Sequence, residues 1–131
     1  MGLGFKGSTG HHHSLRENLE TLTDSYPLRD GYFGIRGNSG DTSIRHIASS
    51  NPVTTSRDFY DKATYGGVES SLYDKLGNPI GAVTKLADGS VFSWREVSSS
   101  DGTPAVDINI RRSNDNCGVK TQKIHFVKEA R

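Results

Sequence analysis

The residues that could do chemistry sit at alternate positions in three short runs of the chain's second half. In "SVFSWREV", Phe92 and Trp94 alternate with Ser93, Arg95 and Val97. "PAVDINI" sets Val106, Ile108 and Ile110 against Asp107 and Asn109, and "QKIHFV" sets Ile124 and Phe126 against Lys123 and His125, with Thr121 just before them. Successive side chains of a strand point to opposite faces. If the apolar sets face a core, then Arg95, Asp107, Asn109, Lys123 and His125 gather on the opposite face. A sheet with one wet face displays polar residues there for solubility alone. The kinds of residue favour chemistry: cations, a histidine and hydroxyls together suit metal-free cleavage of an RNA phosphodiester. In that reaction the 2′-hydroxyl attacks the adjacent phosphorus. The protein supplies a general base, a general acid and cations for the developing phosphorane charge. Histidine serves in either proton role near neutral pH, and the planar fork of arginine matches two non-bridging oxygens at once.

His46, beside Arg45 in "SIRHIASSNP", is the other histidine to weigh. Either it is a loop histidine bonded to its neighbours, or Arg45-His46 comes to the sheet edge and completes an acid/base pair with His125. Ser98, Ser99, Ser100 and Thr103 surround an Asp101-Gly102 turn. They are ordinary turn formers, unless Arg95 and His125 share their face, in which case they line the site.

Other chemistries fit less well. The chain has no Gly-x-x-x-x-Gly-Lys phosphate loop, no His-Glu-x-x-His and no Cys-x-x-Cys. The serines lack the strand–elbow–helix setting of a Gly-x-Ser-x-Gly nucleophile. Cys117 lies in the turn-like "NDNCGV" and reads as an incidental thiol. Asp101 and Asp107 would hold magnesium in a rival reading, a metal-dependent DNase, although no Glu-x-Lys pattern stands near them. A second rival is a non-enzymatic module that docks a partner protein through residues 26–52. The favoured reading needs no cofactor.

The elements that must position these residues follow from periodicity. Ser14 and Glu17 form a capping box for a helix over residues 15–24, with Leu15, Leu19 and Leu22 on one face and Pro27 ending it. Residues 26–52 hold too many Gly, Asp and Asn for regular structure. They read as a long loop, tacked to the core by Tyr26, Tyr32, Phe33 and Ile35. "SNPVTTSRDFYDKAT" reads as a second helix, capped by Thr54 or Thr55, lined by Phe59 and Ala63 and stopped by Gly66-Gly67. From Gly81 the period becomes two, and "AVTKL", "SVFSWREV", "PAVDINI" and "QKIHFV" are strands joined by Asp-Gly turns and short loops. The expected fold is α+β: short N-terminal helices packed on a four- or five-stranded antiparallel meander.

At 131 residues the chain has room for one core. Residues 1–13, ending in His11-His12-His13, read as a flexible lead-in, engineered or part of something longer, and residues 14–131 as the domain. Adjacent histidines do not converge on one metal ion. No apolar run approaches membrane-spanning length, so no membrane partner is expected for the domain. One cysteine excludes an internal disulfide, which fits a reducing cytosol. The net charge of +1 is small, yet from Thr103 onward six cations stand against three acids, enough for a few phosphate contacts.

"YPLRDGYFG", "RHIASSNP", Gly66-Gly67, "VSSSDGTPAVDINI" and "QKIHFV", in this order, resemble the C-terminal toxin domains of bacterial polymorphic toxins, such as those ending contact-dependent growth inhibition effectors. The resemblance spans roughly Gly4 to Val127. It implies an RNase, most often a tRNase, of the barnase/EndoU/colicin/RelE fold group, in which N-terminal helices precede an antiparallel meander. It further implies His46 and His125 as acid/base residues and Arg95 as a phosphate clamp. Arg45, Ser98, Ser99, Thr103 and Lys123 would bind substrate. Its expected partners are tRNA, a tightly bound and often acidic immunity protein, and in some cases elongation factor Tu. Delivery would be as the end of a larger secreted or cell-surface effector, acting in the target-cell cytoplasm.

Overall fold

A computed structural model of the chain describes residues 15–37, 40–86, 89–98, 102–110 and 117–129. Residues 1–14 lie outside these, so the lead-in and the Ser14 cap are not part of the description. Helix α1 (Leu15–Ser25) buries Leu15, Leu19 and Leu22 at helical spacing. Asn18, also buried, donates through Nδ2 to Ala63 O at 3.1 Å and Tyr65 O at 2.9 Å. One amide thereby satisfies the last carbonyl of a second helix and one just beyond its end, groups that a helix C-terminus leaves without an intrahelical donor.

That second helix, α2 (Pro52–Ala63), turns Ser56, Phe59, Tyr60 and Ala63 inward. Its cap is Asn51, whose side chain accepts from Thr54 N at 3.3 Å. The expectation of Thr54 or Thr55 is corrected by Pro52, which starts the helix without needing an amide partner and leaves Asn51 as the half-in residue. Thr55 instead shares a 2.6 Å hydrogen bond with Ser49 Oγ. Replacing Asn51 with alanine is expected to cost about 1 kcal/mol of unfolding free energy. Asn51→Asp should hold or raise stability, because a carboxylate suits the helix N-terminus; denaturant titration checks both.

Residues 26–52 differ most from expectation. They form β1 (Leu28–Arg29), β2 (Tyr32–Phe33), β3 (Ile35–Arg36) and β4 (Ile44–Ser49). Asp30 and Gly31, at φ of 56° and 87°, make the tight β1–β2 turn, the geometry that Asp-Gly favours between paired strands. The segment is therefore part of the framework, not a long irregular loop. After α2 come β5 (Val68–Tyr73), β6 (Pro79–Lys85), β7 (Val91–Arg95), β8 (Ala105–Asn109) and β9 (Gln122–Lys128).

The main sheet has seven strands in the order β3-β4-β9-β8-β7-β6-β5, with β1-β2 a separate hairpin. Strands β5 to β9 run as an antiparallel meander, and β4 joins β9 in parallel. The class is α+β, but the sheet is larger than four or five strands. The helices do not both precede it, since four short strands separate them. Helix α2 packs across β4, β7, β8 and β9, with α1 behind it. The core between them holds Phe59, Phe92, Val106, Ile108, Ile124 and Phe126, all buried. Phe59 meets Tyr26, Phe33 and Phe126 edge-on at 5.0, 5.1 and 5.5 Å. Among the described residues no helix is long and apolar enough to cross a membrane.

Candidate active site

With the helices on one face, strand register decides what shares the other. Four residues are direct neighbours in one row across the sheet: His46 pairs with His125, His125 with Ala105 and Ala105 with Arg95. The next row contains Ile44, Lys123, Asp107 and Ser93. Both rows lie on the helix-free side, because the alternate positions Ile124, Val106 and Phe92 enter the core. Neighbouring strands are about 4.8 Å apart, which places the Arg95 backbone roughly 10 Å from that of His125. Ala105, itself buried, stands between them in the row, and His46 lies one strand further on, roughly 14 Å from Arg95 by the same spacing.

The two imidazoles touch. Their ring centroids are 5.8 Å apart with planes at 78°, an edge-to-face contact. His46 is half-buried, and its Nε2 lies against Gly37, where an added Cβ would come within 2.9 Å. His125 is only 4% exposed. Its cover includes the β7–β8 turn, from which Thr103 Oγ1 meets His125 Nδ1 at 2.9 Å. Ser98 N donates to Thr103 O at 2.8 Å, and Phe126 N to Pro104 O at 2.8 Å, fixing this turn over the sheet. His125 therefore shares a face with Arg95 as expected but is buried, where alternation predicted partial exposure. The difference arises because the turn folds back over the strand end.

The other candidates divide. Arg95 and Lys123 are half-buried on the helix-free face. Lys123 lines a shallow groove with Ser43, Ser93, Asp107, Asn109 and Thr121. Ser98 is buried within the turn, and Ser99 lies outside the described residues. Arg45 points to the opposite side from His46. Its guanidinium donates to Phe33 O (3.3 Å), Thr42 O (3.2 Å) and Gly34 O (3.0 Å) and lies 4.9 Å from the Tyr32 ring centre. Its role is to satisfy carbonyls where β2 runs into β3. The expectation that Arg45 and His46 approach a substrate together is corrected by alternation within β4, which sends neighbours to opposite faces.

Asp107 stands opposite Lys123 in the register, while Asp101 lies outside the described residues. Among the described residues no group of three His, Cys, Asp or Glu side chains could hold a metal ion. Two arginines that the sequence reading passed over, Arg29 and Arg36, line a second groove with His46 and Arg45 at the β4 edge. The available cue was in the sequence: each arginine directly precedes a turn-forming residue, Asp30-Gly31 or Gly37. No protein-family model, curated protein or solved structure matches the chain.

Proposed function

We propose that this chain is the RNA-cleaving domain of a bacterial polymorphic toxin, acting on tRNA by metal-independent attack of the 2′-hydroxyl. The observation that carries the reading is the helix-free row of His46, His125 and Arg95, with Lys123 one step along the same face. His46, the less buried imidazole, takes the 2′-hydroxyl proton as the new P–O bond forms. Arg95 and Lys123 offset the charge that develops on the phosphorane oxygens. The Lys123 ammonium supplies a proton to the departing 5′-oxygen. One proton leaves and one arrives, yielding a 2′,3′-cyclic phosphate and a free 5′-hydroxyl. Thr103 holds His125, and His125 backs His46, so both act as positioning residues.

The order of the β5–β9 meander supports this reading, as does the placement of His46, Arg95 and Lys123 on one face; Arg45 and Ser98 lend it no support. In this proposal an acidic immunity protein covers the helix-free face. The net charge of +1 is low for unaided capture of a polyanion, which favours a presenting host factor such as elongation factor Tu. The domain arrives in the target cytoplasm as the end of a larger effector.

The test incubates purified protein with deproteinised tRNA in EDTA, with and without a host extract. The expected result is a discrete cut bearing a 2′,3′-cyclic phosphate, unaffected by chelation. Cleavage only after magnesium is restored, nicking of plasmid DNA, or intact tRNA even with extract would overturn the proposal.

A further inference from the structure

The groove at the β4 edge has a volume of about 510 Å³, and its lining includes Tyr26, Arg29, Ile35, Arg36, Arg45 and His46. No carboxylate appears among its described lining residues. Asp30 follows Arg29 directly and is exposed, and two further acids near the groove are engaged. Burial works against ionisation of Asp58, yet hydrogen bonds from Lys62 at 2.6 Å and Tyr26 at 2.7 Å hold its carboxyl below the usual range. Asp41 accepts from the Ser43 hydroxyl and amide, at 2.7 and 2.9 Å. Tyr26 stays neutral, because burial first and then Asp58 push its phenol well above the ordinary value. Arg29 is exposed, and its side chain makes no hydrogen bond or ion pair with any described residue. Arg36, also exposed, gives one donor to Gly40 O at 2.8 Å, and its charge is partly offset by the Asp41 carboxylate, which it helps, after the Ser43 hydrogen bonds, to keep ionised. Tyr26, Pro27 and Ile47 give the lining an apolar strip, and Ile35, 70% exposed, is at the strand edge.

Cations around an apolar strip suit a chain that alternates phosphates with sugars and bases. Position adds the second argument. His46 belongs both to this lining and to the row on the helix-free face. The groove therefore passes the β4 position that carries this residue, with Arg36, paired with Arg45, on the other face of the strand pair from the His46 ring, so that a bound strand would reach both by crossing the sheet edge.

We infer that this groove is a docking subsite for the phosphodiester backbone flanking the cleaved linkage, with Arg29 and Arg36 as its phosphate contacts. The inference rests on the RNase reading for its substrate, and it extends the site beyond the reacting nucleotide. It also identifies which arginines reach the strand in place of Arg45, whose donors are committed to backbone carbonyls.

The experiment measures binding of a fluorescein-labelled 2′-O-methyl oligoribonucleotide, which cannot undergo the attack, as a function of salt. Each phosphate contact on a single strand contributes about 0.7 to the slope of log affinity against log salt. Arg29→Ala with Arg36→Ala should lower that slope by about 1.4 and weaken binding roughly tenfold or more at low salt. The melting temperature should be unchanged, and Arg29→Lys with Arg36→Lys should restore the slope. An unaltered slope in the alanine variant would overturn the subsite, as would failure of the unaltered protein to bind the strand. Weakened binding of polyglutamate, with the RNA slope intact, would assign the groove to an acidic protein and also overturn it. Binding does not require cleavage. An inert protein that still shows the slope loss would remove the RNase reading and keep the groove, whereas RNA cleavage with an unchanged slope would do the reverse.

Discussion

His46→Ala is expected to reduce RNA cleavage by roughly 10²–10⁴-fold, the usual contribution of a positioned acid/base side chain. Stability should change by less than about 1 kcal/mol, because surface-side truncations away from a packed core rarely exceed that. The separation between the two effects identifies the role. His46 is half-buried, its ring edge rests on Gly37, and its strand is held in place by β3 and β9 whatever its side chain. The measurement is single-turnover cleavage of tRNA beside a thermal melt of the same preparation. Activity retained within a factor of about three, well short of an acid/base loss, would make His46 an ordinary strand residue and return the proton transfer to another group. Arg95→Ala serves as the comparison. It should depress the rate through lost charge stabilisation, without moving the pH dependence that His46 imposes.

The faces of β7, β8 and β9 were legible because the helix side of each is apolar and the other side mostly polar, even where His125 and Ala105 are buried on it. Phe92/Trp94, Val106/Ile108 and Ile124/Phe126 therefore alternate cleanly with polar residues, and the register brings Arg95 and His125 into one row. Strand β4 was not legible for the opposite reason. Its helix side carries Arg45 as well as Ile47, and its other side carries Ile44 as well as His46, so no period of two survives. The stretch is still of strand length, bounded by Gly40-Asp41 and Asn51-Pro52, and that punctuation was the available cue. Strands β1 to β3 are two residues each, too short for any period. Strand β5 is exposed at five of its six positions, so it has no buried face to leave a pattern. The parallel pairing of β4 with β9 is a long-range fact that local chemistry does not encode, and it is what brings the two histidines together. Burial of His125 is equally non-local, since it depends on how the turn carrying Ser98 and Thr103 folds back.

His125→Ala should therefore damage both fold and activity, unlike the change at His46. Truncating a side chain that is 4% exposed leaves a cavity beside Ala105 and removes the hydrogen bond to Thr103. The combined loss is on the order of 2–4 kcal/mol, with cleavage falling because His46 loses the ring it packs against. Asparagine at this position separates the two contributions. Its amide occupies much of the space near Nδ1 and keeps a polar partner for the Thr103 hydroxyl, so His125→Asn should recover a large part of the stability. The rate should stay reduced by about tenfold, a loss that fits a misaligned base better than a missing one. The pH–rate profile decides between positioning and chemistry. If His46 alone accepts the 2′-hydroxyl proton, the limb that rises with pH survives in His125→Asn at a lower plateau. Disappearance of that limb in a folded His125→Asn protein would mean that the buried imidazole transfers the proton itself. The turn over it would then have to lift during each catalytic cycle.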